Sequence, residues 1–266
     1  MELHFLRNAT LIIQHEQHKI LVDPMLGKVG SLPSYSFIRH KSRRNPMVPL
    51  PDVAQDHLQG ITAALVTHCQ LGHSDHLDGA AKKFLLSQKI PVFCRLDDET
   101  FIGKRGIPTV PLKNEQRQPF FDGHITPIPT IHGYGWIARF MGPGVGYFLE
   151  LPGAPTLYIS GDTILTKDVR HCLKTLKPDI AVVAAGNASL DIGKDILMSL
   201  DEIMEFIRIA PGKVIANHLE AINHCPVTRP QLRELAQKAG LSEKLLIPAD
   251  GETLSFSAEP AFAQAI

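Results

Sequence analysis

Apolar positions in this chain come mostly in short runs of aliphatic and β-branched residues, each cut off by Gly, Pro, Asn or Asp. Runs of that length read as strands. Residues 3–7, 10–14 and 20–22 form three of them around a polar turn at 15–18, which predicts antiparallel β-structure ending at Asp23-Pro24. Pro24 fixes its own φ and drives Asp23 toward an extended backbone, where Asp23 either lines a site or serves the turn. Residues 61–66, Ile-Thr-Ala-Ala-Leu-Val, predict a buried strand that ends at Thr67. Period-3.6 spacing takes over at 78–88, where Ala80, Ala81, Phe84 and Leu85 share one helical face.

Further along, strands are expected at 90–94, 109–112, 119–121 and 124–131, with a short helix over 97–104 closed by Gly106. A hairpin follows at 146–151 and 156–159. From there helix and strand alternate: helix 167–176, strand 179–185, a helix to 209 opened by the capping box of Ser199 and Glu202, strand 213–216, helix 231–239, and closing strands at 245–247 and 253–256. Two β-rich halves with helices outside them make a layered α/β domain, taken as one unit over 1–266. Residues 27–52 stand apart. They carry no periodicity and hold the basic run Arg39, His40, Lys41, Arg43 and Arg44, with Tyr35 and Phe37 nearby. An irregular stretch of that length is either a functional lid or a solvated loop.

Composition narrows the function classes. Across 266 residues, 27 basic and 27 acidic side chains cancel, so no global field draws in nucleic acid or an anionic membrane. No apolar stretch is long enough to span a bilayer, and the N-terminus lacks a signal-peptide pattern, which together predict a cytoplasmic protein. The four cysteines form no C-x-x-C pair and read as reduced, buried thiols.

The chemistry is concentrated in thirteen residues, Thr67 to Gly79, reading T-H-C-Q-L-G-H-S-D-H-L-D-G. His68, His73, Asp75 and His76 lie there on a strand-to-helix turn, and neutral imidazole with carboxylate is the donor set that first-row divalent ions accept. Three more candidates stand at later strand ends: His132 in a glycine-rich loop, Asp162 in Gly161-Asp162-Thr163, and His218. Each taken alone fits a turn or a structural histidine. Strand tips of one sheet system converge, however, and the set holds enough donors for two ions.

These motifs resemble the metallo-β-lactamase superfamily of metal-dependent hydrolases. The likeness rests on Thr67-His68, His73-Ser74-Asp75-His76, His132, Gly161-Asp162-Thr163 and His218, and it covers nearly the whole chain. Val22-Asp23-Pro24 and Leu77-Asp78 look most like the branch containing ascorbate-6-phosphate lactonase. The resemblance implies a four-layer αββα sandwich with two divalent ions at one edge, Zn²⁺ first with Mn²⁺ or Fe²⁺ as alternatives. It implies His68, His73 and His132 on one ion, Asp75, His76 and His218 on the other, and Asp162 between them. One departure is plain, because the family pattern has a single residue between its first two histidines and here Cys69 to Gly72 intervene. In one register Gln70 and Gly72 have replaced ligands. In the other, which the intact Asp75-His76-Leu77-Asp78-Gly79 favours, residues 69–72 bulge outward and His73, Asp75 and His76 approach a common metal position at about 2.0–2.2 Å.

The chemistry expected of such a site is hydrolysis of a small ester, lactone or phosphoester, with Asp75 orienting or deprotonating the attacking water. Arg43, Arg44, Glu220, Asn223 and His224 are the candidate substrate contacts; the last three equally fit an ordered loop. A nuclease or phosphodiesterase and a non-catalytic metal-binding regulator are the competing readings. The partner expected is a small molecule, with neither nucleic acid nor membrane; the oligomeric state stays open.

Overall fold

The computed structural model describes residues 1–70 and 72–257. Strands β1 (Glu2–Arg7), β2 (Thr10–His15) and β3 (His18–Val22) form an antiparallel meander, and β4 (Ala63–Val66), β5 (Val92–Arg95) and β6 (Thr109–Leu112) extend it in parallel. The second sheet holds β7 (Gln118–Phe120), β8 (Gly123–Ile131), β9 (Pro143–Glu150), β10 (Leu157–Ile159), β11 (Ile180–Ala184), β12 (Lys213–Asn217) and β13 (Leu245–Leu246) in that spatial order. Its first half is antiparallel and its second half parallel. β14 (Thr253–Ser255) returns to pair with β1, so each sheet has seven strands.

The period-two alternation of side chains assigns the layers. Leu3, Phe5, Leu11, Ile13, Ile20 and Val22 point inward and meet Ile125, Tyr147, Leu149, Leu157, Val182 and Ile215 of the other sheet. Their neighbours Leu6, Ile12, Leu21, Ala64 and Val66 point outward and are covered by α1 (Ala54–His57), α2 (Gly79–Ser87) and α3 (Glu99–Gly103). A short helix, α4 (Trp136–Met141), follows β8. On the far side Tyr158, Ala181, Val183 and Val214 lie beneath α5 (Lys167–His171), α6 (Leu200–Ile209) and α7 (Arg229–Lys238). The order is helices, sheet, sheet, helices: a four-layer αββα sandwich. Central strands buried on both faces need near-continuous apolar sequence, which is why 61–66 and 179–185 show runs rather than alternation.

Local signals agree in detail. Ser199 and Glu202 close the expected capping box on α6, Thr228 caps α7 with Pro230 in its first turn, and Asp78 caps α2 by accepting from Ala81 N. Two short helices carry no expectation from the sequence: α4 starts where the glycine-rich loop after His132 ends, between Gly135 and Gly142 of positive φ, and α1 precedes β4. One expectation fails. Asp23 is left-handed, with φ 42°, rather than extended, because its carboxylate is held by Thr67 and His76 and the backbone turns to deliver it.

Segment 27–52 is irregular apart from the bridge Leu32↔Asn45, yet it is fastened to the domain at several points, two side chains holding its middle. Asn223, buried at 8% exposure, accepts from Tyr35 N and Asn45 Nδ2 and donates to Ser34 Oγ and Ser36 O. The Asp191 carboxylate accepts from Ser36 Oγ and the backbone N–H groups of Phe37, Ile38 and Arg39, and these bonds hold its carboxyl well below the usual range. Among the described residues, no helix is long and apolar enough to cross a membrane.

Candidate metal centre

β3, β4, β8, β10 and β12 all end at the same edge of the sandwich, and their continuations carry Asp23, His68, His132, Asp162 and His218. The two sheets are pinned together there: Val145 N donates to Thr67 O at 3.1 Å, Tyr147 Oη to Val66 O at 2.7 Å, and His218 N to Asn8 O at 3.0 Å. Two positions are set by backbone requirements. Gly161 has φ 60° and lies so close to Val145 O that a Cβ would come within 2.7 Å, so only glycine permits the turn that aims Asp162. His218 itself is left-handed, at φ 59°, a conformation non-glycine residues adopt only where the surroundings enforce it.

Seven sequence-predicted residues come together at this edge. Ligand atoms of His68, His73 and His132 lie within 4.8 Å of one another, as do those of Asp75, His76 and His218, and those of His68, His76 and Asp162. Asp162 Oδ2 faces His76 Nε2 at 3.3 Å, His132 Nε2 at 3.4 Å, His218 Nε2 at 3.5 Å and His68 Nε2 at 4.0 Å, so it stands between the two outer groups. Asp75 Oδ2 is 3.4 Å from His76 Nε2 and 3.5 Å from His218 Nε2. The expectation of one position shared by His73, Asp75 and His76 needs correcting. His73 instead packs against His68 and His132, with ring centroids 4.4 and 5.0 Å away. Gln70 points elsewhere, donating to the Asp97 carbonyl and the Asp98 carboxylate.

Each imidazole has one nitrogen engaged on its outer side. His73 Nε2 donates to Met141 O at 2.9 Å and His132 Nδ1 to Ile196 O at 2.7 Å. A carbonyl only accepts, so His73 Nδ1 and His132 Nε2 carry the lone pairs. His76 Nδ1 is held by Asp23 Oδ2 at 2.9 Å, and His218 Nδ1 lies 3.4 Å from Cys225 Sγ. Thr67 Oγ1 gives its proton to Asp23 Oδ2 and so accepts from His68 Nδ1 at 3.0 Å. Asp23 therefore orients two histidines, His76 directly and His68 through Thr67, in the carboxylate–histidine arrangement typical of metal ligands. What remains on the inner side is unclaimed: His68 Nε2, His76 Nε2, His218 Nε2 and Asp162 Oδ1 are buried without a hydrogen-bond partner. Buried polar atoms are rarely left so, and four converging at one spot fit divalent ions held between them.

The electrostatics follow from burial and mutual charge. Burial, reinforced by His76, holds His68 well below the usual imidazole range, and burial pushes His132 down to about 4. For His76 and His218 burial acts in the same direction, but the carboxylates, Asp162 foremost, outweigh it and raise both well above that range. Asp75 and Asp162 are held ionised far below the carboxylate range, because His76 and His218 overcome the cost of burying them.

The proposed substrate contacts are dispersed. Arg43 and Arg44 are exposed, and Arg44 Nε donates to Gly30 O. Glu220 pairs with Arg229 at 2.5 Å, and Asn223 fastens segment 27–52. His224 is 5% exposed, lies within the field of Asp75, His218, Asp162 and His132, and packs edge-on against Tyr35 with ring centroids 5.2 Å apart, its Nδ1 without a partner. Sequence reasoning passed over Tyr35 as a site residue, as it did Thr67 as an orienting hydroxyl and the carbonyls of Met141 and Ile196. Backbone carbonyls leave no sequence signal; the Asp23-Pro24 strand end did leave one. The four cysteines are all buried and free, and Cys225 is the one that contacts the centre.

Known proteins share this fold. A family model described as the beta-lactamase superfamily domain matches residues 18–218. UPF0173 protein YddR of Bacillus subtilis is 31% identical over 261 residues, covering 96% of this chain and all of that one. A UPF0173 metal-dependent hydrolase of Carboxydothermus hydrogenoformans is 26% identical, covering 94% of this chain and 98% of that one. Among solved structures, an isothiocyanate hydrolase from Delia radicum gut bacteria superimposes with a TM-score of 0.88 at 32% identity, covering 97% of this chain and 100% of the other. A protein from Veillonella parvula, described as a possible metal-dependent hydrolase, gives 0.87 at 26% identity, with 96% and 99% covered. The chain belongs to the β-lactamase superfamily, within its UPF0173 group of metal-dependent hydrolases.

Proposed function

We propose that this protein hydrolyses a small, uncharged carbonyl-type electrophile, such as an ester, a lactone or an isothiocyanate, at a centre of two divalent ions, zinc in the first place. The carrying observation is the pair of donor groups, His68–His73–His132 and Asp75–His76–His218, with Asp162 between them and their inner lone pairs unclaimed. Those groups would each hold one ion. Divalent ions there supply water of lowered pKa and polarise the bond under attack. The chain's own part is to orient the imidazoles through Asp23, Thr67, Met141 and Ile196, and to keep Asp75 ionised as the proton acceptor for the attacking water.

Support for an uncharged substrate comes from where the cations are. Among the described residues the buried guanidiniums Arg7 and Arg95 are committed, Arg7 to the carbonyls of Met25, Gly27 and Val48, and Arg95 to Asp98. The basic run at 39–44 is at or near the surface, and Arg39 is spent on Gly193 O. Apolar residues Met25, Ile137, Ile196 and Ala221 cluster beside the centre instead. The isothiocyanate hydrolase among the similar structures extends the expected class beyond esters and lactones. Four free cysteines favour the cytoplasm.

The test is turnover of p-nitrophenyl acetate, a γ-lactone, benzyl isothiocyanate and a phosphodiester by protein loaded with zinc and by protein stripped with a chelator. The proposal expects turnover on at least one carbonyl-type substrate in the loaded form alone. Hydrolysis confined to the phosphodiester would refute the substrate class.

A further inference from the structure

Two buried polar atoms, on Tyr35 and His224, lie outside the ligand sets and have no partner. The Tyr35 hydroxyl is buried without a hydrogen-bond partner; it approaches Ser74 but completes no bond there. His224 Nδ1 is likewise buried and unpartnered. The two rings touch edge to face, and Asp75 is the strongest charge acting on both. They arrive from opposite ends of the sequence, Tyr35 on segment 27–52 and His224 after β12. Asn223 joins them, since it precedes His224 and its side-chain oxygen accepts from Tyr35 N at 2.9 Å. Ser189 N also donates to the His224 carbonyl, which fixes that backbone. Two orphaned polar atoms held rigidly beside the ionised carboxylate are costly to bury unless something polar meets them.

We propose that Tyr35 Oη and His224 Nδ1 form the polar subsite for the substrate, with Tyr35 donating to the heteroatom that gains negative charge during hydrolysis. This deepens the hydrolase reading and rests on it. In the addition step, the water oxygen bonds to the electrophilic carbon, its proton passes to Asp75, and the π pair of the C=O or C=N bond moves onto the heteroatom. A phenol aimed at that atom stabilises the developing charge without being consumed. Burial and the charge of Asp75 push the Tyr35 phenol far up, so it is a donor throughout the neutral range. Burial pushes His224 down to about 3, so it meets the substrate as a neutral imidazole and adds no charge of its own.

Tyr35→Phe removes the hydroxyl and keeps the ring against His224. On zinc-loaded protein it is expected to lower kcat about 100-fold with KM within about twofold, with zinc content and Tm unchanged. His224→Leu is expected to lower kcat as well, and His224→Asn, which keeps a polar atom near the Nδ1 position, to recover part of it. Affinity for phenylboronic acid, an uncharged compound that becomes tetrahedral and anionic on binding, should fall about tenfold or more in Tyr35→Phe. Wild-type kcat together with wild-type boronic acid affinity in Tyr35→Phe would overturn the subsite. Absence of turnover by the wild type on every substrate would instead overturn the hydrolase reading, and the boronic acid comparison would still decide the subsite.

Discussion

Replacing Asp23 by Asn tests whether the centre is organised from behind. The Asp23 carboxylate is 1% exposed and accepts three bonds, from Thr67 N and Thr67 Oγ1 at 2.8 Å each and from His76 Nδ1 at 2.9 Å. Asn tolerates the left-handed backbone there and is nearly isosteric, so the change is chiefly electronic. Its carbonyl oxygen can still serve Thr67 N, but its amide nitrogen turns donors toward Thr67 Oγ1 and His76 Nδ1. Two bonds to a buried charged acceptor are lost, at about 1.5–3 kcal/mol each, so an unfolding free energy lower by about 3–6 kcal/mol is expected for metal-free protein. His76 and His68 are then freed to rotate, and loss of such an orienting carboxylate typically weakens metal binding about 10–100-fold. Competition against a chromogenic zinc chelator measures the affinity, and urea unfolding of stripped protein measures the stability. Thr67→Val serves as a partial control, because it cuts the branch to His68 and leaves that to His76. Zinc affinity within twofold of the wild type in Asp23→Asn would refute the reasoning, whatever the stability change.

Other outcomes follow from the same geometry. Asp75→Asn should lower kcat by about 100-fold or more while leaving the αββα core intact, checked by steady-state kinetics beside circular dichroism. Asn223→Ala strands the buried partners Ser34, Tyr35 and Asn45, so a loss of about 3 kcal/mol in urea unfolding and faster proteolysis within 27–52 are expected. The Arg43→Ala, Arg44→Ala double variant should leave KM for a neutral ester within about twofold; a rise confined to an anionic ester would restore the basic run to substrate binding. In metal-free protein the raised values of His76 and His218 give stability that is full below the unfolded value of about 6.5 and is lost as pH rises through the folded values. Zinc must displace those protons, so the rise in Tm on adding zinc should grow as pH climbs above about 6.5 toward the raised folded values. A constant rise in Tm across that range would contradict the protonation assigned to the pair.

Fold and donor set were legible because both are written locally. Strands buried on two faces leave apolar runs, a capping box leaves Ser199 and Glu202, and metal donors are restricted to a few residue types, so His68, His73, Asp75, His76, His132, Asp162 and His218 stood out at strand tips. The resemblance divides those seven as the structure groups them, with His68, His73 and His132 together and Asp75, His76 and His218 together. The residues read without it put His73 with Asp75 and His76 instead, and packing against Met141 is what shows His73 facing His68 and His132. The residues behind the ligands were harder still. Asp23 and Asp78 were noticed as marks of a lactonase-like branch, yet what they do is structural: Asp23 orients His76, and Asp78 caps α2 while holding Gly27 N at 2.6 Å. Tyr35 and His224 are 189 positions apart in sequence, and no local pattern reports a ring contact made through Asn223. The charge of the 39–44 run, the strongest signal in its segment, pointed to substrate; the fold places Arg43 and Arg44 at the surface and gives Asp191 the work of holding that stretch.

The central claim is that two donor groups at one edge of the sandwich hold divalent ions on which hydrolysis depends. The direct measurement is a zinc titration of stripped protein, verified metal-free by elemental analysis, with turnover of a carbonyl-type substrate read at each addition. Activity is expected to be absent at the start, to rise with bound zinc and to level off when the donor groups are filled. Full turnover in the metal-free sample would contradict the account.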